Sequence, residues 1–178
     1  MLKKDKKLFY TRGWEVVMKL KRFLFILILS LSIVYSVSIF SHTINFDFYT
    51  YKGKKVNLQN FKGKYVLLNL FTSYCSMCLV ELKILNKLNN ACKSDKYKIV
   101  SLLVDREGIT VLPKIVNSNN ITYTVGIAPS NIFEIFPDFS ITPTTYILNQ
   151  NGNLVERVVG YKNLKSWIDI LNKYVNCN

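Results

Sequence analysis

Two cysteines spaced by two residues, Cys75-Ser76-Met77-Cys78, are the side chains in this 178-residue sequence whose types and spacing point most directly to chemistry. They follow a nearly unbroken apolar run, Tyr65–Phe71 (YVLLNLF), and they open a stretch with Leu82, Leu85 and Leu88 at helical spacing. A strand leading into a helix puts Cys75 at the helix N-terminus, where unpaired N–H groups and the positive end of the helix dipole favour a thiolate. Cys78 then lies one turn further in, within reach of the first sulfur. A thiolate so placed attacks a disulfide, and its neighbour resolves the mixed disulfide that forms. That chemistry needs no cofactor.

Other uses of two thiols stay open from the residues alone. A CxxC pair is half of a structural zinc site, but no second pair follows, and the only histidine is His42. Cys75, Met77 and Cys78 together offer soft ligands for Cu(I). Two thiols can also meet by chance in a core. The strand–CxxC–helix setting favours the redox reading.

The elements that must hold the pair follow from patterning. Tyr65–Phe71 and the run 99–104 read as strands buried on both faces, since they are apolar without alternation. Helices are expected over 75–92, 111–116 and 132–136, the last ended by Pro137. Shorter extended pieces are expected at Phe46, Phe48 and 56–58, around a turn at Gly53, and again over 123–127. Thr144–Leu148 and Leu154–Val159 flank Asn151-Gly152, a strong hairpin signal. Leu164, Trp167, Ile168, Leu171 and Val175 mark a closing helix. Strands alternating with helices predict one α/β domain over residues 43–178.

Composition bounds the rest. Half of the chain is apolar (49%) and 13% is aromatic, which excludes a disordered tail or linker. Four cysteines are too few for a disulfide-stapled miniature scaffold. The net charge is +13, but beyond residue 50 the basic residues are scattered without a dense run, so no nucleic-acid partner is expected. Residues 1–22 hold eight Lys/Arg against two acids. They precede eighteen uncharged residues, 23–40 (FLFILILSLSIVYSVSIF), and no Lys or Arg follows until Lys52. This is the positive-inside pattern, and it predicts export of everything after it. The run meets the length of a membrane span and exceeds a usual signal-peptide core, so a retained anchor is favoured over cleavage near Ser36-Val37-Ser38. Met18 opens a segment that reads as a complete export signal by itself. The domain is accordingly expected outside the cytoplasm, on the periplasmic side, tethered or else secreted after cleavage.

YVLLNLFTSYCSMC followed by ITPTTYILNQNG resembles the thioredoxin superfamily, and within it the membrane-tethered TlpA/ResA-like thiol–disulfide oxidoreductases. The resemblance runs from about residue 45 to 175 and includes the opening FDFYTYKGKKVNLQNFKGK. It implies a central mixed sheet with helices on both faces, following an N-terminal transmembrane helix. It implies that Pro143 is cis and packs beside the active pair, with Tyr74 and Thr142 shaping a substrate groove. It also implies that Glu81, three residues past Cys78, relays protons in place of the buried Asp of cytoplasmic thioredoxins, whose position is taken by Asn69. The plainer reading of Glu81 is a surface acid on a Lys-rich helix. Four features depart from the family: Tyr74 stands where Trp is usual, Met77 where Pro is usual, Lys83 replaces a proline, and the glycine usual before the cis-proline loop is missing, with Ile141 nearby.

In such a fold the active-site helix and the last helix run the same way on one sheet face. Cys92 then reads either as an inert buried thiol or as one half of a structural bridge to Cys177. The resemblance further implies a reductant of protein disulfides, such as apocytochrome c CxxCH in cytochrome c maturation, fed with electrons by a CcdA/DsbD-type membrane protein. The alternatives are a disulfide oxidase or isomerase for exported proteins, and a non-catalytic Cu(I)-handling module.

Overall fold

The computed structural model describes residues 17–28 and 43–177. The chain divides into two compact units, 1–41 and 42–178. In the first, residues 17–28 are helical. Most of the apolar run 23–40 lies outside the described residues, and among those described no helix is long and apolar enough to cross a membrane.

The second unit is a seven-stranded mixed sheet with helices on both faces. In chain order its elements are β1 (Asp47–Thr50), β2 (Lys55–Asn57), a 3-10 turn (Leu58–Phe61), β3 (Tyr65–Phe71), α1 (Ser76–Ala91), β4 (Tyr97–Leu103), a second 3-10 turn (Glu107–Thr110), α2 (Leu112–Ser118), β5 (Thr124–Ile127), α3 (Ile132–Ile135), β6 (Thr144–Leu148), β7 (Leu154–Val159) and α4 (Leu164–Leu171). The strand order is β2-β1-β5-β4-β3-β6-β7. Strands β3, β4 and β5 are parallel, and β6 joins β3 antiparallel.

β3 is the central strand, and its unbroken apolar sequence reflects burial on both faces. Leu67 and Phe71 pack into one cluster with Leu82, Leu85 and Leu88 of α1 and Trp167 and Leu171 of α4. Val66, Leu68 and Leu70 point the other way, against Phe46, Phe48, Ile132, Phe136 and Tyr146. Asn69 shares the face of Leu67 and Phe71, so an amide sits beneath α1 among mostly apolar neighbours.

The expected strand boundaries hold for β3, β6 and β7. The first expected strand is displaced: Phe46 precedes β1 and its carbonyl takes the Leu58 N–H at 3.1 Å. The closing helix is shorter than its apolar stripe, ending at Leu171, and Val175 reaches the core from the turn that follows. Asn149 stabilises the β6–β7 hairpin by accepting from the Asn151 and Asn153 N–H groups at 3.0 Å each. Gly152 supplies the φ of 84° that this turn needs.

At the far end of α1, Tyr97 donates its hydroxyl to the Cys92 carbonyl at 2.9 Å, satisfying one of the helix's orphan acceptors. Cys92 is bonded to Cys177, 85 residues away in sequence. This tie joins the last residues to the end of the active-site helix. In the chain-entropy model a closed loop of that length is worth about 4–5 kcal/mol. Cys177→Ser should therefore lower the urea midpoint of the full chain under oxidising conditions, while the same variant compared under strong reductant should match the wild type. Equal midpoints under oxidising conditions would show that the bridge adds no stability.

Candidate active site

The chain leaves β3 at Phe71 and turns through Thr72, Ser73 and Tyr74 into α1. Polar contacts hold this loop from two sides. Asp105, just past β4 and nearly buried, accepts from the Ser73 N–H at 2.8 Å and its hydroxyl at 2.6 Å. Thr72 and Thr142 share a hydroxyl contact at 3.4 Å. Cys75 is the N-cap of α1: its Sγ accepts from the Cys78 N–H at 3.2 Å, and its carbonyl takes the Leu79 N–H at 3.1 Å.

Cys75 and Cys78 are joined in a disulfide with their Cα atoms 5.2 Å apart. The two ends differ in exposure. Cys75 is half-buried, whereas Cys78 is 1% exposed. The Cys75 Sγ lies 3.8 Å from the Thr142 carbonyl oxygen. The Thr142–Pro143 peptide is cis. Tyr74 projects into solvent at 79% exposure and shares a surface depression with Phe133, Phe139, Ile141 and Thr142; Pro143 is not part of its lining.

Glu81 is fully buried, against the plainer expectation of a surface acid. Its Oε1 accepts from the Lys162 main-chain N–H at 2.9 Å and from the Trp167 indole at 3.3 Å. Its Oε2 accepts from the Asn69 amide at 3.2 Å. Burial pushes its pKa up from 4.5 to about 7, while these donors and the Lys162 charge pull the other way. A carboxyl poised there can take or give a proton near neutral pH. Asn69 has no acid function of its own, but it holds the acid that does.

Five contributors escaped the sequence reading. Trp167 was expected only as core, although a buried indole N–H requires an acceptor, and that requirement was a usable signal. The Lys162 donor is a main-chain group and has no sequence signature. Ser101, Tyr123 and Asp105 are found only through strand register and chain crossing. Among the described residues no group of three or more His, Cys, Asp and Glu is arranged to hold a metal ion; His42 lies outside them.

Comparison with known proteins fits this geometry. The sequence pattern of the AhpC/TSA family matches residues 40–157. Thiol-disulfide oxidoreductase ResA of Bacillus anthracis is 29% identical over 118 residues, 65% of this chain and 66% of that protein. The chain thus spans just under two-thirds of ResA's length. Sporulation thiol-disulfide oxidoreductase A of Bacillus subtilis (strain 168) is 25% identical over 127 residues, covering 67% of this chain and 75% of that protein. Among solved structures, a thioredoxin-family thiol:disulfide interchange protein from Chlorobium tepidum TLS superposes with a TM-score of 0.67 at 20% identity, covering 74% of this chain and 93% of that one. StoA from Bacillus subtilis gives 0.61 at 21%, covering 71% and 96%. These structural matches establish the thioredoxin-like fold. With the family pattern spanning well over half of its residues, the chain belongs to the AhpC/TSA family.

Proposed function

We propose that this protein is a thiol–disulfide oxidoreductase that reduces disulfides in exported protein clients, with apocytochrome c CxxCH pairs as the client class the TlpA/ResA resemblance favours. The observation that carries the reading is the asymmetry of the pair. Cys75 caps a helix and faces solvent in part, while Cys78 is enclosed one turn from a buried acid. In the reduced protein, the Cys75 thiolate attacks one sulfur of a client disulfide and displaces the other as a thiolate. Cys78 then gives its proton to Glu81 and attacks the Cys75 sulfur. That step releases the second client thiolate and restores the Cys75–Cys78 disulfide. Two electrons pass to the client, and its two sulfurs take up protons.

Tyr74 and Thr142 border the approach to Cys75, and the cis bond to Pro143 sets the Thr142 main chain where its polar groups can meet an extended client segment. A reductant outside the cytoplasm has to be recharged, and a CcdA/DsbD-type membrane protein is the donor class the resemblance supplies. The basic flank 1–22 and the apolar run 23–40 support a membrane-held domain on the periplasmic side.

The equilibrium reduction potential tests the direction of electron flow. Titration of the full chain in dithiol buffers, with Cys75→Ser as control for the Cys92–Cys177 couple, should give a value near or below about −270 mV. A value near about −120 mV would make the protein an oxidant.

The relay carries its own pH signature. Folded Glu81 keeps its proton to about pH 7, whereas the unfolded chain loses it near 4.5. The folded state therefore binds the extra proton between those values, and stability falls as pH rises through that window. Glu81→Gln should flatten this slope and slow the resolving step by about 10²-fold. Unchanged single-turnover rates in Glu81→Gln would remove the relay from the mechanism.

A further inference from the structure

Three neighbouring strands place polar side chains in one row beneath α1. Asn69 of β3 is in register with Ser101 of β4 on one side and Thr145 of β6 on the other. All three are buried. Asn69 donates one amide hydrogen to Glu81 and the other to the Thr145 hydroxyl at 3.0 Å. Its carbonyl oxygen faces the Ser101 hydroxyl at 3.3 Å, and Ser101 in turn lies 3.1 Å from the Tyr123 hydroxyl.

Proton counting gives the row a direction. Each hydroxyl carries a single proton. Ser101 is the donor facing Asn69 Oδ1, and a buried amide oxygen left without one is costly. Asn69 Oδ1 and the Tyr123 hydroxyl, at 3.3 and 3.1 Å, therefore compete for the Ser101 proton, and the amide oxygen is the acceptor that needs it. Tyr123 gives its own proton to the Leu82 carbonyl at 3.4 Å. Burial pushes the Tyr123 phenol up, against the lowering by the Ser101 hydrogen bond.

We propose that Ser101 is a positioning residue for the exchange reaction: its hydroxyl heads a one-way chain, Ser101 to Asn69 to Glu81, that fixes the Asn69 amide with an N–H on the carboxylate, while Tyr123 competes for the Ser101 proton. This inference rests on the relay proposed above. Each bond in such a chain polarises the next, and the chain ends on the negative charge, so it favours ionised Glu81 over the neutral acid. The reverse amide orientation would set Asn69 Oδ1 against a carboxylate oxygen, which only the protonated acid tolerates.

The other groups facing Glu81 come from every element around it. Cys78 lies one turn earlier on α1. Lys162, ahead of α4, supplies a main-chain N–H and an ammonium tied to the Val159 and Gly160 carbonyls at 2.8 and 3.2 Å. Trp167 of α4 supplies its indole N–H. None of these touches the Asn69 carbonyl oxygen, so the row acts on Glu81 independently of them.

The test is a pH titration of the full chain in its disulfide form, where neither Cys75 nor Cys78 titrates. The probe is the infrared carboxylic-acid band that Glu81→Gln removes. Ser101→Ala should raise the midpoint of that band by about 0.5–1 pH, the effect of losing one buried hydrogen bond behind the amide. Tyr123→Phe, which keeps the ring and removes the competing acceptor, should leave it unchanged or lower it. A Ser101→Ala midpoint at or below the wild-type value would overturn the inference and leave the relay intact. Normal exchange by Glu81→Gln would overturn the relay, while a shifted band in Ser101→Ala would still uphold the hydrogen-bond chain.

Discussion

The burial of one carboxylate, Glu81, is the constraint around which the domain is arranged. An ionised acid without partners in an apolar layer costs several kcal/mol. The protein offsets part of that cost with donors from three separate places: Asn69 on the central strand, the main chain at Lys162, and the Trp167 indole on the last helix. Stabilisation is left incomplete, so the acid stays poised near neutrality. Because these donors lie far apart in sequence, the site forms only when β3, α1 and α4 are all docked.

The scaffold separates rigidity from chemistry along the length of α1. At its N-terminal end the helix carries the reactive pair, with loops after β3 and β4 and before β6 converging on it. At its C-terminal end, about 24 Å away for a 16-residue helix, Cys92 is tied to Cys177 and the Tyr97 hydroxyl caps the Cys92 carbonyl. The Cys92–Cys177 bond thereby lies at the opposite end of the helix from the Cys75–Cys78 pair.

Much of this was legible in the residues, for physical reasons that differ by element. β3 could be delimited because a strand buried on both faces leaves an unbroken apolar run bounded by polar turns. The CxxC pair could be placed because the step from strand to helix dictates an N-cap. Glu81 drew notice through its spacing and the family resemblance, which implied an acid buried near the sulfurs, while the lysines on the same helix kept a solvated face open as the alternative. Ser101 lies inside the run 99–104, read simply as a buried strand, and its meaning appears only when register sets it beside Asn69. The polar row is a property of strand pairing, and a single sequence does not state its pairings. The apolar run 23–40 was read from hydropathy and charge asymmetry, and most of it lies outside the described residues.

The proposed exchange chemistry depends on a division of labour between the two sulfurs. Incubating reduced Cys78→Ala and Cys75→Ala forms of the full chain with insulin, then measuring intact mass without reductant, reads this directly. A persistent covalent adduct on Cys78→Ala and none on Cys75→Ala is the predicted result. An adduct on Cys75→Ala, or undiminished insulin reduction by it, would contradict Cys75 as the attacking group.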